Sequence, residues 1–536
     1  MSRREKFFDI LPPKPRHTHR QPAFYKVPID VPYVPVEVRG DSRPKTRWYI
    51  PLAATTATFL VVLGFFGFSL WQFKDRAEQA GPAVYDNFKA GAAALFNFDV
   101  DKAKGFFQQA SDDLATLNES APLKTVPAVL NNLFQISQSA VSLSTELEDL
   151  KKNAVALMVN KKGAFLLQKL HKIQELLKSV NILGGQLNKQ AAGLGYNADT
   201  EFGKLNSNLG EADLFLTAFL RWAEAPKKQR LLILFQNPSE IRPAGGFLGS
   251  YGIATLFQGN LLELETQDIY DPDGQLDLKL IPPKPLRSVT DKWGARDANW
   301  FFDYPASAKK VIELLEASKI YSERGIRFSG AIAVNVELIE DLLEIIGPVE
   351  LPEYNLTVTR ENFLKEVQRE VEEGADKVKN NPKKILKTLT PMIFAELAKL
   401  DEVRKHAVLE AFGKRFRNKD LMVYFKDPAV ESYAAELGVG GEVMGLPENF
   451  TGEYLAVVNA NIAGGKSDAF IRQKINFVSS IAADGSIKSS VSVERRHTGD
   501  GQKDWWYRAT NRDYLQIYAT PGSEIKKIRG ATERVV

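Results

Sequence analysis

Apolar residues recur at alternating steps of three and four through Leu133, Ile136, Ala140, Leu143, Leu147, Leu150, Ala154 and Leu157, the spacing of one helical stripe. A turn-forming Asn160-Lys161-Lys162-Gly163 follows, and the alternation returns in Leu166, Leu170, Ile173, Leu177, Val180 and Leu187, with Gly184 at the one missing step. No proline interrupts the stretch between Pro127 and Pro226. Two such stripes around a short polar turn predict an antiparallel coiled-coil hairpin about 35 Å long, acting as a stalk. Upstream, Ala90 to Leu114 reads as one helix-turn-helix unit capping that stalk.

At Arg230 the period changes. Leu231 to Phe235 is a short continuous apolar run, the mark of a strand covered on both faces. A Gly-rich turn at Pro243 to Gly246 leads to strands at Tyr251 to Phe257 and Leu261 to Glu265, joined through Gln258-Gly259-Asn260. A proline-rich loop at Ile281 to Pro285 precedes a helix at Ala306 to Ala317, a strand at Gly330 to Val334 and a helix at Val336 to Ile346 that Gly347-Pro348 stops. Strands alternating with helices predict an α/β layered domain. Residues 360 to 447 return to charged helices, and the last ninety or so alternate with period two around Ala483-Asp484-Gly485, as an antiparallel β module does.

One further segment is apolar without period: Tyr49 to Phe73 carries no charge and is flanked by Trp48, Tyr49 and Trp71. Its length matches a membrane crossing, and the expectation is a single transmembrane helix over 48–73. Residues 1–47 hold eleven Lys/Arg against five acids, so the positive-inside rule keeps this proline-rich tail cytoplasmic and exports the body. The other 489 residues carry 59 basic and 61 acidic groups, a balance that offers no phosphate-tracking surface and excludes nucleic acid as the body's partner. With no cysteine, disulfides, thiolate metal sites and cysteine nucleophiles are excluded, and five scattered histidines do not build a multi-histidine centre.

The most distinctive string runs from Gln236 to Ser250, directly after the apolar strand. Gly245, Gly246 and Gly249 permit tight turns and close backbone approach, while Arg242 offers a planar fork to phosphate or carboxylate. The competing reading pairs Arg242 with Glu240. Ala460 to Ser467 fits a relaxed phosphate loop, but a strand pattern follows it where a helix N-terminus is needed. Asp271, Asp273, Gly274 and Asp277 resemble a fragment of a calcium loop without its terminal Glu, and read as a turn. Trp505-Trp506-Tyr507 reads as an aromatic strand packed on the module's core, or as a sugar-stacking surface.

Asn237, Glu240, Arg242, Pro243, Gly245, Gly246, Phe247 and Gly249 resemble the hallmark of the bacterial domain-of-unknown-function family 4012. Asn299-Trp300 with Asp303 and Pro305, Gly347-Pro348-Val349, Asn461 with Lys466-Ser467-Asp468, and Asp513 with Pro521-Gly522-Ser523 resemble its later blocks in order. Ser329-Gly330 departs from an expected Asp-Gly. The order of elements is more distantly similar to the LytR-CpsA-Psr family, membrane-anchored exported enzymes that move glycopolymers from polyprenyl-pyrophosphate lipids to the cell wall. That resemblance implies arginine forks on the pyrophosphate, for which Arg242, Arg287, Arg296 and Arg404 are candidates, and a magnesium ion held by Asp271, Asp297 or Asp303. The Arg-Ser-Asp-Thr and Pro-Arg-Asp signatures expected of that family are missing.

The combined expectation is an α+β multidomain chain: a tail at 1–47, a transmembrane helix at 48–73, a helical coiled-coil stalk at 74–226, a LytR-CpsA-Psr-like α/β domain with a helical insertion at 227–450, and an antiparallel β module at 451–536. Its location is the cell membrane, with the body outside. The ligand-binding candidates are Arg242, Gly245, Gly246, Arg287, Arg296, Asn299, Asp303 and Arg404. A polyprenyl-pyrophosphate glycan or cell-wall polymer is the expected partner, bound or transferred by a glycopolymer phosphotransferase; the alternative is a non-catalytic envelope scaffold or adhesion protein.

Overall fold

The structure, a computed structural model, describes residues 100–119, 126–193, 201–379, 381–448 and 450–530, with scattered positions between 83 and 94. Its first part is helical: α1 (Val100–Glu119), α2 (Val126–Val159), α3 (Gly163–Gly193) and α4 (Glu201–Ala223). α2 and α3 run antiparallel around the 160–162 turn and bury Ile136, Ala140 and Leu143 of one stripe and Ile173, Leu177 and Val180 of the other. α1 lies along α2, where Gln138 donates to Ser111 at 2.5 Å, and α4 lies along α3, where Gln174 donates to Asp213 and Thr217.

The second part is built on a five-stranded sheet. β1 (Gln229–Asn237), β2 (Phe247–Phe257) and β3 (Asn260–Asp268) form an antiparallel meander. Beyond the helix α5 (Tyr304–Ala317), β4 (Gly330–Asn335) pairs with β1 in parallel, from Leu231 opposite Gly330 to Gln236 opposite Asn335. α6 (Val336–Ile346) follows and ends at Gly347, whose φ of 89° is open to glycine alone at little cost. The short pair β5 (Val349–Leu351) and β6 (Leu356–Val358) then leads to α7 (Phe363–Glu373), α8 (Lys384–Leu397) and α9 (Glu402–Asn418). β7 (Leu421–Phe425) closes the sheet in the order β3-β2-β1-β4-β7, and α10 (Pro428–Glu436) packs on β7 and α4.

β1 explains the layering. Leu232 and Leu234 are fully buried in the core under α5, together with Tyr251, Ala331, Ala333 and Leu315. Ile233 and Phe235 point to the other face with Ile332 and Val334, toward α6 and α9. Arg415 on α9 holds Asp341 on α6 through two 2.7 Å bonds and reaches Asp420 at 2.9 Å, fixing the two helices to each other.

The remainder forms two separate ladders: β8 (Leu455–Asn461) with β11 (Asp513–Ala519), and β9 (Ile471–Ile481) with β10 (Ile487–His497). The β8–β11 ladder shares a core with Leu286, Trp293 and Trp300 of the α/β layer through Ala460 and Ile462.

The architecture corrects the expected one. The described chain is a mixed α/β fold with small sheets, in place of an α+β string of stalk, layer and module. The segment at 48–73 lies outside the described residues. Among those residues no helix is long and apolar enough to cross a membrane, so the expected transmembrane helix has no support in the described fold. The two-stranded coiled coil is replaced by a bundle, because the α2–α3 seam leaves flanks that α1 and α4 cover. The bundle is no spacer either: Gly163 at its tip donates to Asn260 Oδ1 at 2.7 Å, and Phe215 on α4 stacks on Tyr433 at 4.3 Å. The C-terminal β module is two ladders that do not pair with each other, one of them joined to the layer's core. Trp505 to Arg508 is a helical turn, with Trp506 buried and Trp505 exposed, so the aromatic run is not a strand.

Candidate functional site

The Gly-rich loop folds back flat against the end of β1. Gln236 donates to the Ala244 carbonyl at 2.8 Å, and a Cβ on Gly245, whose φ is 129°, would come 2.1 Å from Gln236 Oε1. One on Gly246 would come 2.5 Å from the Asn237 backbone. The two glycines are therefore required by the loop's own packing.

Arg242 points inward and is only 4 % exposed. It donates to the carbonyls of Asn461 at 2.7 Å and Ile241 at 3.2 Å, to Asp297 at 3.3 Å and to Glu240 at 3.4 Å, and its guanidinium lies over the Phe247 ring. Asn299 donates to the Gly246 carbonyl at 2.8 Å. Asp468 accepts from the Ile241 amide, Asn461, Arg495 and Asn511. Motif blocks more than 200 residues apart in sequence thus meet in one buried polar network that joins the loop to β8 and to the turn at 295–297. Burial pushes the Glu240 carboxyl up, against the pull of Arg242. Asp273 is raised by burial as well, although it accepts from the amides of Ala295 and Arg296.

The other candidates are dispersed. Arg296 pairs with Asp297 at 3.2 Å and lies over Tyr270. Arg287 is exposed and donates to the Pro282 carbonyl. Arg404 is exposed on the first turn of α9, 3.7 Å from Asp401. Asp271 is exposed, Asp297 lies between Arg242 and Arg296, and Asp303 caps α5 by accepting from Ala306 while its other oxygen accepts from Val443. Among the described residues no three His, Asp or Glu side chains gather as metal ligands, so these three aspartates do not fit a shared magnesium ion.

A cavity of about 620 Å³ lies on the sheet face opposite α5, between the strands and helices α6 to α9. Its walls are mainly hydrocarbon: Ile233, Phe235, Ile332 and Val334 from the sheet, and Ile339, Val371, Leu386 and Phe412 among the helical contributors. This is why the apolar run in β1 is fully buried on one face and half-buried on the other. Charged and polar groups join the lining from the motif loop (Asn237, Glu240), the end of β3 (Asp268), the end of α7 (Glu372), the start of α8 (Lys383) and the turn before β9 (Lys466). Lys466 pairs with Glu372, which holds that carboxyl below its usual range despite burial. Gln368 ties the rim together, donating to Asn237 and Ser239 and accepting from Tyr507 at 2.6 Å.

Sequence reasoning missed Gln368, Glu372 and Lys383, which sit in a charged stretch that reads as a solvated helix face. Their one available signal was Lys383-Lys384 after Pro382, a cationic helix start, which electrostatics disfavours unless an anion is near.

Residues 227–371 match the family described as "Protein of unknown function (DUF4012)". The match runs from just before β1 to within α7 and includes the Gly-rich loop, in agreement with the resemblance read from Asn237 to Gly249. No curated protein matches the chain, and no solved structure does.

Proposed function

We propose that the protein binds an amphiphile of the polyprenyl-phosphate glycan class, its hydrocarbon in the cavity and its anionic head at the charged rim. The observation that carries this is a hydrocarbon-lined cavity of about 620 Å³ with charged groups in its lining, including Glu240, Asp268, Lys383 and Lys466. That volume lies within the ~300–1,000 Å³ range of small-molecule sites, and apolar walls with a few oriented polar groups are their usual composition. Well-packed interiors leave few voids larger than a water molecule, so a hydrocarbon-sized space is unusual in a purely structural layer. A molecule with one long apolar part and one charged part satisfies both regions, and a purely polar sugar satisfies neither wall.

The reading is of binding. Both terminal nitrogens of Arg242 are engaged inside the protein and none of the four arginines considered above lines the cavity, so the rim charges are the groups that face the ligand. An envelope location belongs to the same proposal, since such lipids are handled at membranes. Native mass spectrometry of the full chain mixed with undecaprenyl phosphate tests it. One lipid per folded chain is expected, and the absence of any adduct would defeat the proposal.

A further inference from the structure

We propose that Lys383 is the anchor for the phosphate of that lipid, its ammonium meeting the head group where the cavity lining reaches the N-terminus of α8. This rests on the reading of the cavity as an amphiphile site and names the residue that gives it a preference for an anion.

Three observations converge on this side chain. It lines the cavity, and its Nζ lies 3.2 Å from where a Cβ on Gly249 would stand, so the bare glycine leaves the ammonium its room beside the motif loop. Among the described residues nothing hydrogen-bonds or ion-pairs with it, in contrast to Lys466, which Glu372 engages, and Lys377, 3.6 Å from the same carboxylate. Lys383 is also the N-cap residue of α8, whose aligned peptide dipoles add positive potential at that point.

Lys383 is half-buried, and drawing an ammonium away from water without a partner is costly. Burial accordingly pulls the pKa of Lys383 below the ordinary lysine value; Lys466 adds to the shift, while Asp268, Glu372 and Glu240 act against it without contacting the group. An arriving anion supplies the missing partner. The lining as a whole carries five lysines (152, 377, 383, 405 and 466) against Glu240, Asp268 and Glu372, an excess of the sign that a phosphate needs. Phosphate is favoured over carboxylate because it brings more charge and more acceptor oxygens to an ammonium and a helix start acting together.

The test compares full-length wild type, Lys383→Met and Lys383→Arg for binding of undecaprenyl phosphate, undecaprenol, a long-chain fatty acid and inorganic phosphate, with thermal unfolding of each apo protein. Wild type is expected to prefer undecaprenyl phosphate over undecaprenol by about 10- to 100-fold, the worth of a charge-assisted hydrogen bond. Lys383→Met should bind both alike, still hold undecaprenol, and melt no lower than wild type, since it removes an unpaired cation; Lys383→Arg should keep the preference. Equal binding of the two polyprenyl compounds by wild type, an undiminished preference in Lys383→Met, or a preference for the fatty acid would overturn the assignment while leaving the cavity reading intact. Binding of neither polyprenyl compound would defeat the cavity reading. Lys383-dependent binding of inorganic phosphate in that case would mark a free-phosphate site and overturn the lipid anchor.

Discussion

Arg242→Ala is the substitution that separates a structural from a ligand-facing role for the Gly-rich loop. The guanidinium bonds two carbonyls and two carboxylates, and both it and Asp297 are buried. Its removal strands Glu240 and leaves Asp297 with Arg296 alone. Breaking one partner out of a buried ion pair costs about 3–5 kcal/mol. At about 2–4 °C per kcal/mol for a unit of 150–250 residues, the melting transition that reports the sheet should fall by about 6–20 °C. Differential scanning calorimetry of the full chain is the assay, with exposed Arg287→Ala as the control expected within about 0.5 kcal/mol of wild type. Asp297→Asn combined with Arg242→Ala should recover about 1–3 kcal/mol of the summed single losses, the coupling expected of residues in contact. An Arg242→Ala protein that melts within about 2 °C of wild type would refute the reasoning.

Gly246→Ala should destabilise the same transition, because its methyl would meet the Asn237 backbone at 2.5 Å and a strand cannot move aside cheaply; a melt unchanged from wild type would contradict the packing. Burial pushes the Glu431 carboxyl up to about 7, with Glu442 and Asp303 adding to the shift and Lys309 and the Phe425 amide opposing it. The folded chain therefore holds a proton that the unfolded chain has released between about pH 4.5 and 7, and stability should fall as pH rises through that window, by up to about 3 kcal/mol. Glu431→Gln should flatten that slope in urea titrations at several pH values. Tyr507→Phe, which loses the 2.6 Å bond to Gln368, should cost about 1 kcal/mol in the same assay. Affinity for undecaprenyl phosphate should drop as pH rises through the lowered pKa of Lys383, since only the ammonium receives the head group, and Lys383→Arg should remove that dependence.

Local pattern carried much of the layer. The run Leu231 to Phe235 marked β1, and helix period with Gly347-Pro348 marked α6 and its end. Long-range partners were not legible. Helical stripes at α2 and α3 give a seam but do not say that α1 and α4 cover the flanks, so a bundle read as a stalk. The cavity is silent in sequence for a related reason: Ile233 on the cavity wall and Leu232 in the packed core are the same kind of residue in the same strand. Arg242 was visible as a planar cation, but its direction depends on Asn461, 219 positions away. Lys466 looked like part of a phosphate loop that lacked its helix; in the fold it is the partner of Glu372, and a 3-10 turn at Ser467–Phe470 leads into β9.

The central claim is that the cavity takes hydrocarbon, and filling it tests that most directly. Val371 is half-buried on the cavity wall, and Val371→Trp places an indole into the void without opening the core beneath the sheet. Undecaprenyl phosphate binding should be lost in this variant while its melting temperature stays at or above the wild-type value. Unchanged lipid binding by a folded Val371→Trp protein would contradict the account.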